Sequence, residues 1–333
     1  MHHMWTFAAL LMSVASLSTL AKDSLTIAVI GKTMKDSFYE QSLHGCEQFA
    51  KSVESDAFEL KCQYAGPVFF QDIREQALAT EAVINSGVDG ILISITDSKY
   101  LVEHALMHAQ QKNIPVITFD SDVLAEHRSY RLAYVGTNNF DFGVALGQYA
   151  MQFAREGGTE FCIQSGHAST PNLDERIRGV RFALSGNNNN QRLRSKSKWH
   201  EYERCPFYTL GKRDMAVSQL ELVLRKSIPV FIAVAGFAQF SPEYIERIGR
   251  YRQALENKAT VIVSADTETV QLDALREKLS TANIGQRPFE MGRLGAQMLF
   301  KYLRDGTLPS QEFTYLGFHT CTPENVDVCT LNE

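Results

Sequence analysis

Residues 25–31 read LTIAVIG, residues 90–95 read GILISI and residues 115–119 read PVITF. Each run is short, almost wholly apolar and rich in β-branched residues, which predicts strands that are buried on both faces. The intervening segments Ser37–Val53 and Tyr100–Lys112 carry their apolar residues at helical spacing instead. Because buried strands separated by helices form βαβ units, these stretches predict an α/β fold with a parallel sheet between two helical layers.

The same alternation continues on both sides of these runs. A strand at Phe58–Tyr64 and a helix at Asp72–Ser86 complete the first half. The strand pattern begins again in the second half at Glu160–Gln164, Val230–Ala235, Thr260–Ser264 and Thr281–Gly285. The sequence therefore predicts two α/β lobes, each built on its own doubly wound parallel sheet.

Length and composition agree with two globular lobes. The chain has 333 residues, enough for about two domains at roughly 150 residues each. Hydrophobic residues make up 44% and charged residues 21%, which excludes a disordered chain. The formal net charge of −5 argues against a nucleic-acid partner, because such binding depends on cations that neutralise phosphates.

The N-terminus predicts export. Residues 1–21 contain no Asp, Glu, Lys or Arg, and residues Trp5 to Leu20 form an apolar run. Thr19 and Ala21 place small residues at the two positions that a signal peptidase requires before its cleavage point. This pattern is typical of a cleaved signal peptide, so we expect a mature chain from about Lys22 in the periplasm. Histidines stand where Lys or Arg is usual, which leaves a buried N-terminal helix or an uncleaved anchor as alternatives.

Six cysteines lie beyond that segment. No C-x-x-C motif and no zinc-ligand spacing occurs among them, so we expect no metal site. An even number in an exported protein favours disulfides, and six free buried thiols are the alternative. Proximity in the sequence favours the pairs Cys46–Cys62, Cys162–Cys205 and Cys321–Cys329 out of the possible pairings.

The loops after the predicted strands carry the candidate functional residues, because ligands of such sheets bind beyond the carboxyl ends of the strands. Carboxylate, amide, guanidinium and aromatic side chains dominate these loops, and they suit a polyhydroxylated ligand. The candidates are Asp36, Phe38, Tyr39, Ser94, Asp120, Asn138, Asp174, Arg176, Asp266 and Gln286.

Enzyme motifs are missing from these loops. Gly31-Lys32-Thr33 is similar to the end of a phosphate-binding loop, but Thr26 stands where that loop needs glycine. Neither G-x-G-x-x-G after the first strand nor G-x-S-x-G occurs. Asp120 and Asp122 could serve as an acid–base pair or simply as turn and cap residues. We expect no catalysis and no cofactor; a periplasmic hydrolase is the alternative from another class.

The order of the strand-end motifs resembles the type I periplasmic sugar-binding proteins, the family of the ribose- and galactose-binding receptors. The resemblance covers roughly residues 24–318. The segments that carry it are Gly90–Ser94 with Thr96 and Asp97, Ile114–Asp120, Tyr134–Asn139 with Gly143, Glu175 and Arg176 with Gly179, and Ile284–Gly292.

The resemblance implies two lobes joined by a three-stranded hinge, with the ligand clamped between them. The first lobe would comprise residues 22–136 and 287–314, and the second residues 137–286 and 315–333. Phe38 and Tyr39 would then pack against a sugar ring. Recognition of hydroxyl groups would come from Asp36, Asp120, Asp266 and Gln286.

Several positions depart from the family pattern. Ser94 stands where the family often has asparagine, and after the strand at Val230–Ala235 the usual asparagine is replaced by Gly236, which is followed by the candidate site residue Phe237. Asp174 aligns with a common arginine, whose role Arg176 could take over. Asn138 either caps the next helix or contacts the ligand. These departures favour a modified sugar, a polyol, a furanosyl signal or another small polar molecule over plain ribose or galactose.

We therefore expect a monomeric periplasmic receptor that closes on a small polar, sugar-like ligand and presents the closed form to an ABC permease. The alternative is the ligand-binding component of a signalling system that is recognised by a membrane sensor kinase or chemoreceptor. A cytoplasmic transcription regulator shares the resemblance, but the export signal and the lack of a helix-turn-helix segment at the N-terminus argue against it.

Overall fold

A computed structural model describes residues 23–194 and 198–330. The predicted signal peptide lies outside these residues. The described residues form thirteen strands: β1 (Asp23–Ile30), β2 (Phe58–Ala65), β3 (Gly90–Ile93), β4 (Val116–Phe119), β5 (Ala133–Thr137), β6 (Thr159–Ser165), β7 (Trp199–Glu201), β8 (Phe207–Tyr208), β9 (Val230–Ala233), β10 (Val261–Ala265), β11 (Ala282–Gly285), β12 (Phe313–Leu316) and β13 (His319–Cys321).

Helices connect most of these strands. Within the same residues they are α1 (Ser37–Val53), α2 (Ile73–Ser86), α3 (Ser98–Leu101), α4 (Met107–Gln111), α5 (Asn139–Met151), α6 (Pro171–Ser185), α7 (Arg213–Arg225), α8 (Tyr244–Gly249), α9 (Arg252–Glu256), α10 (Thr269–Arg276) and α11 (Pro288–Asp305). A π-helical turn at Val102–Leu106 joins α3 to α4, so the helix predicted at residues 100–112 contains one wide turn.

The strands form two sheets whose central strands follow the same order. The first sheet has the order β2-β1-β3-β4-β5-β12, and all of its neighbouring strands are parallel. The second has the order β7-β6-β9-β10-β11-β13, with β8 also paired to β6, and only β13 runs antiparallel to its neighbour. This confirms the predicted α/β class with two doubly wound lobes.

The first sheet is buried on both faces, as its apolar strands predict. Along β1, Ile27 and Val29 pack into one apolar cluster, while Ala28 and Ile30 pack into the cluster on the opposite face. Successive side chains of a strand point to opposite faces, so a strand without polar alternation needs a cover on each side. The sheet therefore holds its loops at a fixed edge between two helical layers.

The chain passes between the two sheets three times, after β5, after β11 and between β12 and β13. These crossings lie close to the predicted lobe boundaries, which stay a prediction. β5 and β12 remain paired up to their last residues, Thr137 and Leu316, so Thr137 and Tyr315, which the prediction assigns to the second lobe, are strand residues of the first sheet.

Three disulfides link the cysteines in the predicted pairs. Cys46–Cys62 joins α1 to β2, Cys162–Cys205 joins β6 to the loop before β8, and Cys321–Cys329 closes a short loop in the tail. Over residues 23–194 and 198–330, none of the helices has the length and apolar character needed to cross a bilayer.

Candidate functional site

A cavity of about 40 Å³ lies between the lobes, at the carboxyl ends of strands from both sheets. Its lining combines carboxylates, cations, amides and aromatic rings. The lining residues are Lys32, Asp36, Phe38, Tyr39, Phe70, Gln71, Asp120, Asn172, Leu173, Arg176, Arg213, Ala235, Gly236, Phe237, Phe240, Asp266 and Gln286.

Asp120 is at the centre of the polar network. It follows β4 in a left-handed backbone conformation (φ 57°), and its Oδ2 accepts hydrogen bonds from Ser94 Oγ at 2.7 Å and Tyr39 Oη at 3.2 Å. The Lys32 ammonium lies 3.3 Å from the same oxygen. Burial raises the pKa of the Asp120 carboxyl, but Lys32 and Arg176 outweigh this effect and hold that pKa below its usual value. Asp120 is therefore an ionised acceptor within the cavity.

Arg176 connects the network to the second lobe. Its guanidinium donates to Asn139 Oδ1 at 2.8 Å, to the Val234 carbonyl at 3.0 Å and to Gln286 Oε1 at 2.9 Å. The same group lies 3.5 Å from Asp120 Oδ1 and stacks over the Phe142 ring. These contacts fix the planar guanidinium in one orientation in the wall of the cavity.

Asp266 provides a second carboxylate, which follows β10 and also has a positive φ of 72°. Gln286 Nε2 donates to Asp266 Oδ1 at 2.8 Å while Gln286 Oε1 accepts from Arg176. Burial raises the pKa of the Asp266 carboxyl, and Arg176 and Gln286 counteract only part of that rise. Asp266 can therefore exchange hydrogen bonds with hydroxyl groups of a ligand.

Aromatic rings form the apolar walls. Phe38 and Tyr39 come from the start of α1, and their rings pack edge to face at 5.2 Å. Phe237 and Phe240 come from the second lobe, where they follow β9, and the Phe237 ring meets Phe70 of the first lobe edge to face at 5.1 Å. Rings from both lobes can cover the C–H faces of a sugar ring.

Polar contacts between the lobes surround the mouth of the cavity. Asp36 Oδ1 caps α1 by accepting from the Phe38 amide at 3.0 Å, and Asp36 Oδ2 pairs with Arg213 at 3.2 Å. Burial raises the pKa of Asp36 to about 7, although Arg213 lowers it in part. Further out, Gln41 donates to the Glu268 carboxylate. The two lobes thus touch directly around the site.

Eight predicted site residues lie together in this cavity: Asp36, Phe38, Tyr39, Asp120, Arg176, Phe237, Asp266 and Gln286. Ser94 lies behind the cavity wall, where it is fully buried and donates a hydrogen bond to the Asp120 carboxylate. Asn138 and Asp174 line a different groove, and the Asn138 side chain caps α5 by accepting from the Asp141 amide. Of the two roles left open for Asn138, the structure has the helix cap.

The sequence analysis missed several lining residues. Lys32 is only 2% exposed, and its ammonium lies 3.2 Å from Asn172 Oδ1 of the other lobe. The sequence did hold a signal for Lys32, because it lies two residues after β1, in a loop already expected to face a ligand. Arg213 is the first residue of α7, and Phe70 lies in the loop before α2. Both follow weakly patterned segments, so only the fold shows them at the site. Within the described residues, no cluster of His, Cys, Asp or Glu is arranged to hold a metal ion.

The family model for a periplasmic binding protein domain matches residues 27–307. The chain belongs to the type I periplasmic binding proteins. The resemblance drawn from the strand-end motifs is thereby confirmed.

Individual relatives agree with this family. The D-ribose/D-allose-binding protein of Pseudomonas aeruginosa is 28% identical over 162 residues, an alignment that covers 47% of this chain and 49% of that protein. An ABC transporter solute-binding protein of Agrobacterium vitis with bound D-fucose has a TM-score of 0.77 at 22% identity, covering 91% of this chain and 97% of that one. Another from Burkholderia graminis, in complex with D-arabinose, has a TM-score of 0.73 at 24% identity, covering 93% and 99%. The solved structures support the fold.

Proposed function

We propose that this periplasmic binding protein is a receptor for a small polyhydroxylated ligand, a monosaccharide or a close relative of one. The observation that carries the proposal is the joint lining of one cavity by both lobes. Tyr39 and Phe237 offer ring faces, Asp120 and Arg176 offer fixed charged hydrogen-bonding groups, and Asp266 offers a carboxyl group oriented by Gln286. The solved structures with bound D-fucose and D-arabinose support this ligand class.

Binding requires no chemical step in this proposal. The first lobe contributes Asp36, Tyr39 and Asp120, and the second contributes Arg176 and Phe237. A ligand that touches both groups gains all its contacts only when the lobes are closed, so it shifts the hinge equilibrium towards closure. The result is a closed surface that differs from the open one.

The test is isothermal titration of the mature protein with a panel of aldoses, ketoses and inositols, followed by Asp266→Asn. Asparagine replaces one carboxyl oxygen with an amide NH2 group, and a buried ligand hydroxyl that loses its acceptor costs about 1–3 kcal/mol, so we expect Asp266→Asn to weaken binding of the best ligand about tenfold. Asp273→Asn, which removes an exposed carboxylate on α10, is the matched control and should bind normally. A silent panel, or equal affinity in Asp266→Asn, would overturn the proposal.

The closed form is proposed to be presented to an ABC permease. At the mouth of the cavity, Phe69 of the first lobe is 69% exposed and Leu210 of the second is 47% exposed, and both line one open groove. An apolar patch of this kind is typical of a protein-binding surface. Because its halves belong to different lobes, its shape depends on closure.

Uptake of the identified ligand separates transport from signalling. Deletion of the coding gene should abolish uptake of the labelled ligand, and Phe69→Ser should impair uptake while leaving ligand affinity unchanged. Normal uptake combined with a lost transcriptional or chemotactic response would overturn the permease assignment and favour the sensor kinase or chemoreceptor alternative. Chemical conversion of any ligand by the purified protein would contradict the absence of catalysis that we propose.

A further inference from the structure

The cavity lined by both lobes, which we call the main cavity, has a polar part and an apolar part. The polar part is one connected network of hydrogen bonds and ion pairs around Asp120. The Asn172 amide donates to Asp120 Oδ1 at 3.2 Å, and Arg176 lies 3.5 Å from the same oxygen. Gln286 extends the network from Arg176 to Asp266. Hydroxyl groups of a sugar therefore find both donors and acceptors in this part of the cavity.

Apolar side chains from both lobes form the other part. The Phe70 ring of the first lobe meets the Phe237 ring of the second edge to face at 5.1 Å, and Phe70 packs against the apolar cores of both lobes. Leu173 lies beside Phe237, because a Cβ built on Gly166 would be 2.9 Å from Leu173 Cδ1 and 3.0 Å from Phe237 Cζ. We call Phe70, Leu173 and Phe237 the apolar wall.

The apolar wall cannot satisfy a polar group of a ligand, because leucine and phenylalanine side chains carry no hydrogen-bonding atoms. Gln71 is the polar lining residue that follows Phe70 in the chain, and its Oε1 already accepts from the His167 amide at 3.2 Å. Tyr39 joins the two parts of the cavity, since its hydroxyl donates to Asp120 and its ring centroid lies 6.4 Å from that of Phe70. A ligand hydroxyl against the apolar wall loses water without gaining a partner, whereas a methyl group is stabilised by burial there.

We propose that the main cavity selects a 6-deoxyhexose, a sugar in which a methyl group replaces the hydroxymethyl group of the parent hexose. The ring hydroxyl groups bind to the network around Asp120, and the methyl group lies against the apolar wall. A parent hexose places a hydroxyl group at that wall instead, so it binds more weakly. This inference rests on the proposed sugar-receptor function and narrows its ligand to one class.

The experiment compares pairs of sugars that differ by one hydroxyl group. Isothermal titration of the mature protein uses D-fucose with D-galactose, L-fucose with L-galactose, and L-rhamnose with L-mannose. An apolar pocket discriminates against a ligand that carries an added hydroxyl group by up to about a hundredfold. We therefore expect the deoxy sugar of the pair that binds best to bind about tenfold to a hundredfold more tightly than its parent hexose.

Two variants test where the methyl group lies. Leu173→Asn keeps a similar side-chain size but adds an amide to the apolar wall, so the preference for the deoxy sugar should fall severalfold. Leu184→Asn is the matched control, because Leu184 lies on the same helix and in the same apolar core but outside the cavity lining. This control should leave the preference unchanged. The readout is a ratio of two affinities in one protein, so a loss of stability shared by both variants does not affect it.

The outcomes separate this inference from the function on which it rests. Failure of every sugar to bind, in these pairs and in the wider panel, would overturn the receptor function itself. Equal or tighter binding of the parent hexose, or binding confined to pentoses and inositols, would overturn the 6-deoxyhexose assignment and leave the receptor function standing. An unchanged preference in Leu173→Asn would also overturn the assignment, because the methyl group would then lie away from the apolar wall.

Discussion

The Asp36 carboxyl should make the stability of the protein depend on pH. Its pKa is raised from 3.8 to about 7 in the folded chain, chiefly by burial. A carboxyl with a raised pKa prefers its protonated form in the folded state, so its stabilising contribution is complete below pH 4 and is lost as the pH rises to about 7. Each unit of pKa shift is worth about 1.4 kcal/mol, so the shift from 3.8 to about 7 changes the free energy of unfolding by at most about 4 kcal/mol between low and neutral pH.

Asp36→Asn isolates this contribution. Asparagine has nearly the same shape, and its oxygen can still accept from the Phe38 amide, so the cap of α1 is kept. Guanidinium unfolding of the ligand-free wild type and variant should be followed at several values from pH 4 to pH 8. The stability of the variant relative to the wild type should rise by up to about 4 kcal/mol across this series.

Two further variants test the assigned cause. Arg213→Gln removes the cation 3.2 Å from Asp36 Oδ2, so the loss of stability with rising pH should become steeper than in the wild type. Asp273→Asn removes an exposed carboxylate and serves as the baseline. A constant difference between Asp36→Asn and the wild type from pH 4 to pH 8 would refute the reasoning, as would a variant that loses stability relative to the wild type as the pH rises.

Three other substitutions test packing, covalent and site contacts. In Gly143→Ala the new Cβ would lie 2.1 Å from a carbonyl oxygen of α6, so thermal unfolding should show a loss of about 1–3 kcal/mol; an unchanged midpoint would contradict this close packing. Replacement of Cys162 and Cys205, 43 residues apart, by serine should cost about 4 kcal/mol in guanidinium unfolding, and a loss below 1 kcal/mol would contradict it. Tyr39→Phe removes a hydroxyl that donates to Asp120 and should weaken ligand binding about fivefold by calorimetry, whereas unchanged affinity would show that this hydroxyl is dispensable.

Elements with strong periodicity were predictable from the sequence. The helix Ser37–Val53 has its predicted limits, and the strands at residues 25–31 and 58–64 are displaced by two residues or fewer at either end. The short strands β7 and β8 and the short helices α8 and α9 were not predicted, because segments of two to six residues contain too few positions to show a period.

The sequence could predict a site residue only where its position in the chain, directly after a strand, places it at the cavity. Asp120 and Asp266 directly follow strands, and both line the cavity as expected. Lys32 follows a strand as well, but lysine is usually exposed, and only the fold brings the compensating Asp120 to its ammonium. Asp174 lies in the first turn of α6, where neighbouring residues point in directions about 100° apart. Its side chain therefore points away from the main cavity, although Arg176, two residues later, lines that cavity.

The three crossings also bear on the order in which the lobes are completed during synthesis. The first sheet needs β12, and the apolar face of α1 is covered by α11, where Gly292 packs against the Ser42 backbone. Both α11 and β12 leave the ribosome after nearly all of the second lobe. The lobe that begins first therefore finishes last, and the nascent chain has an uncovered apolar helix face throughout that interval, which is the kind of surface that chaperones bind.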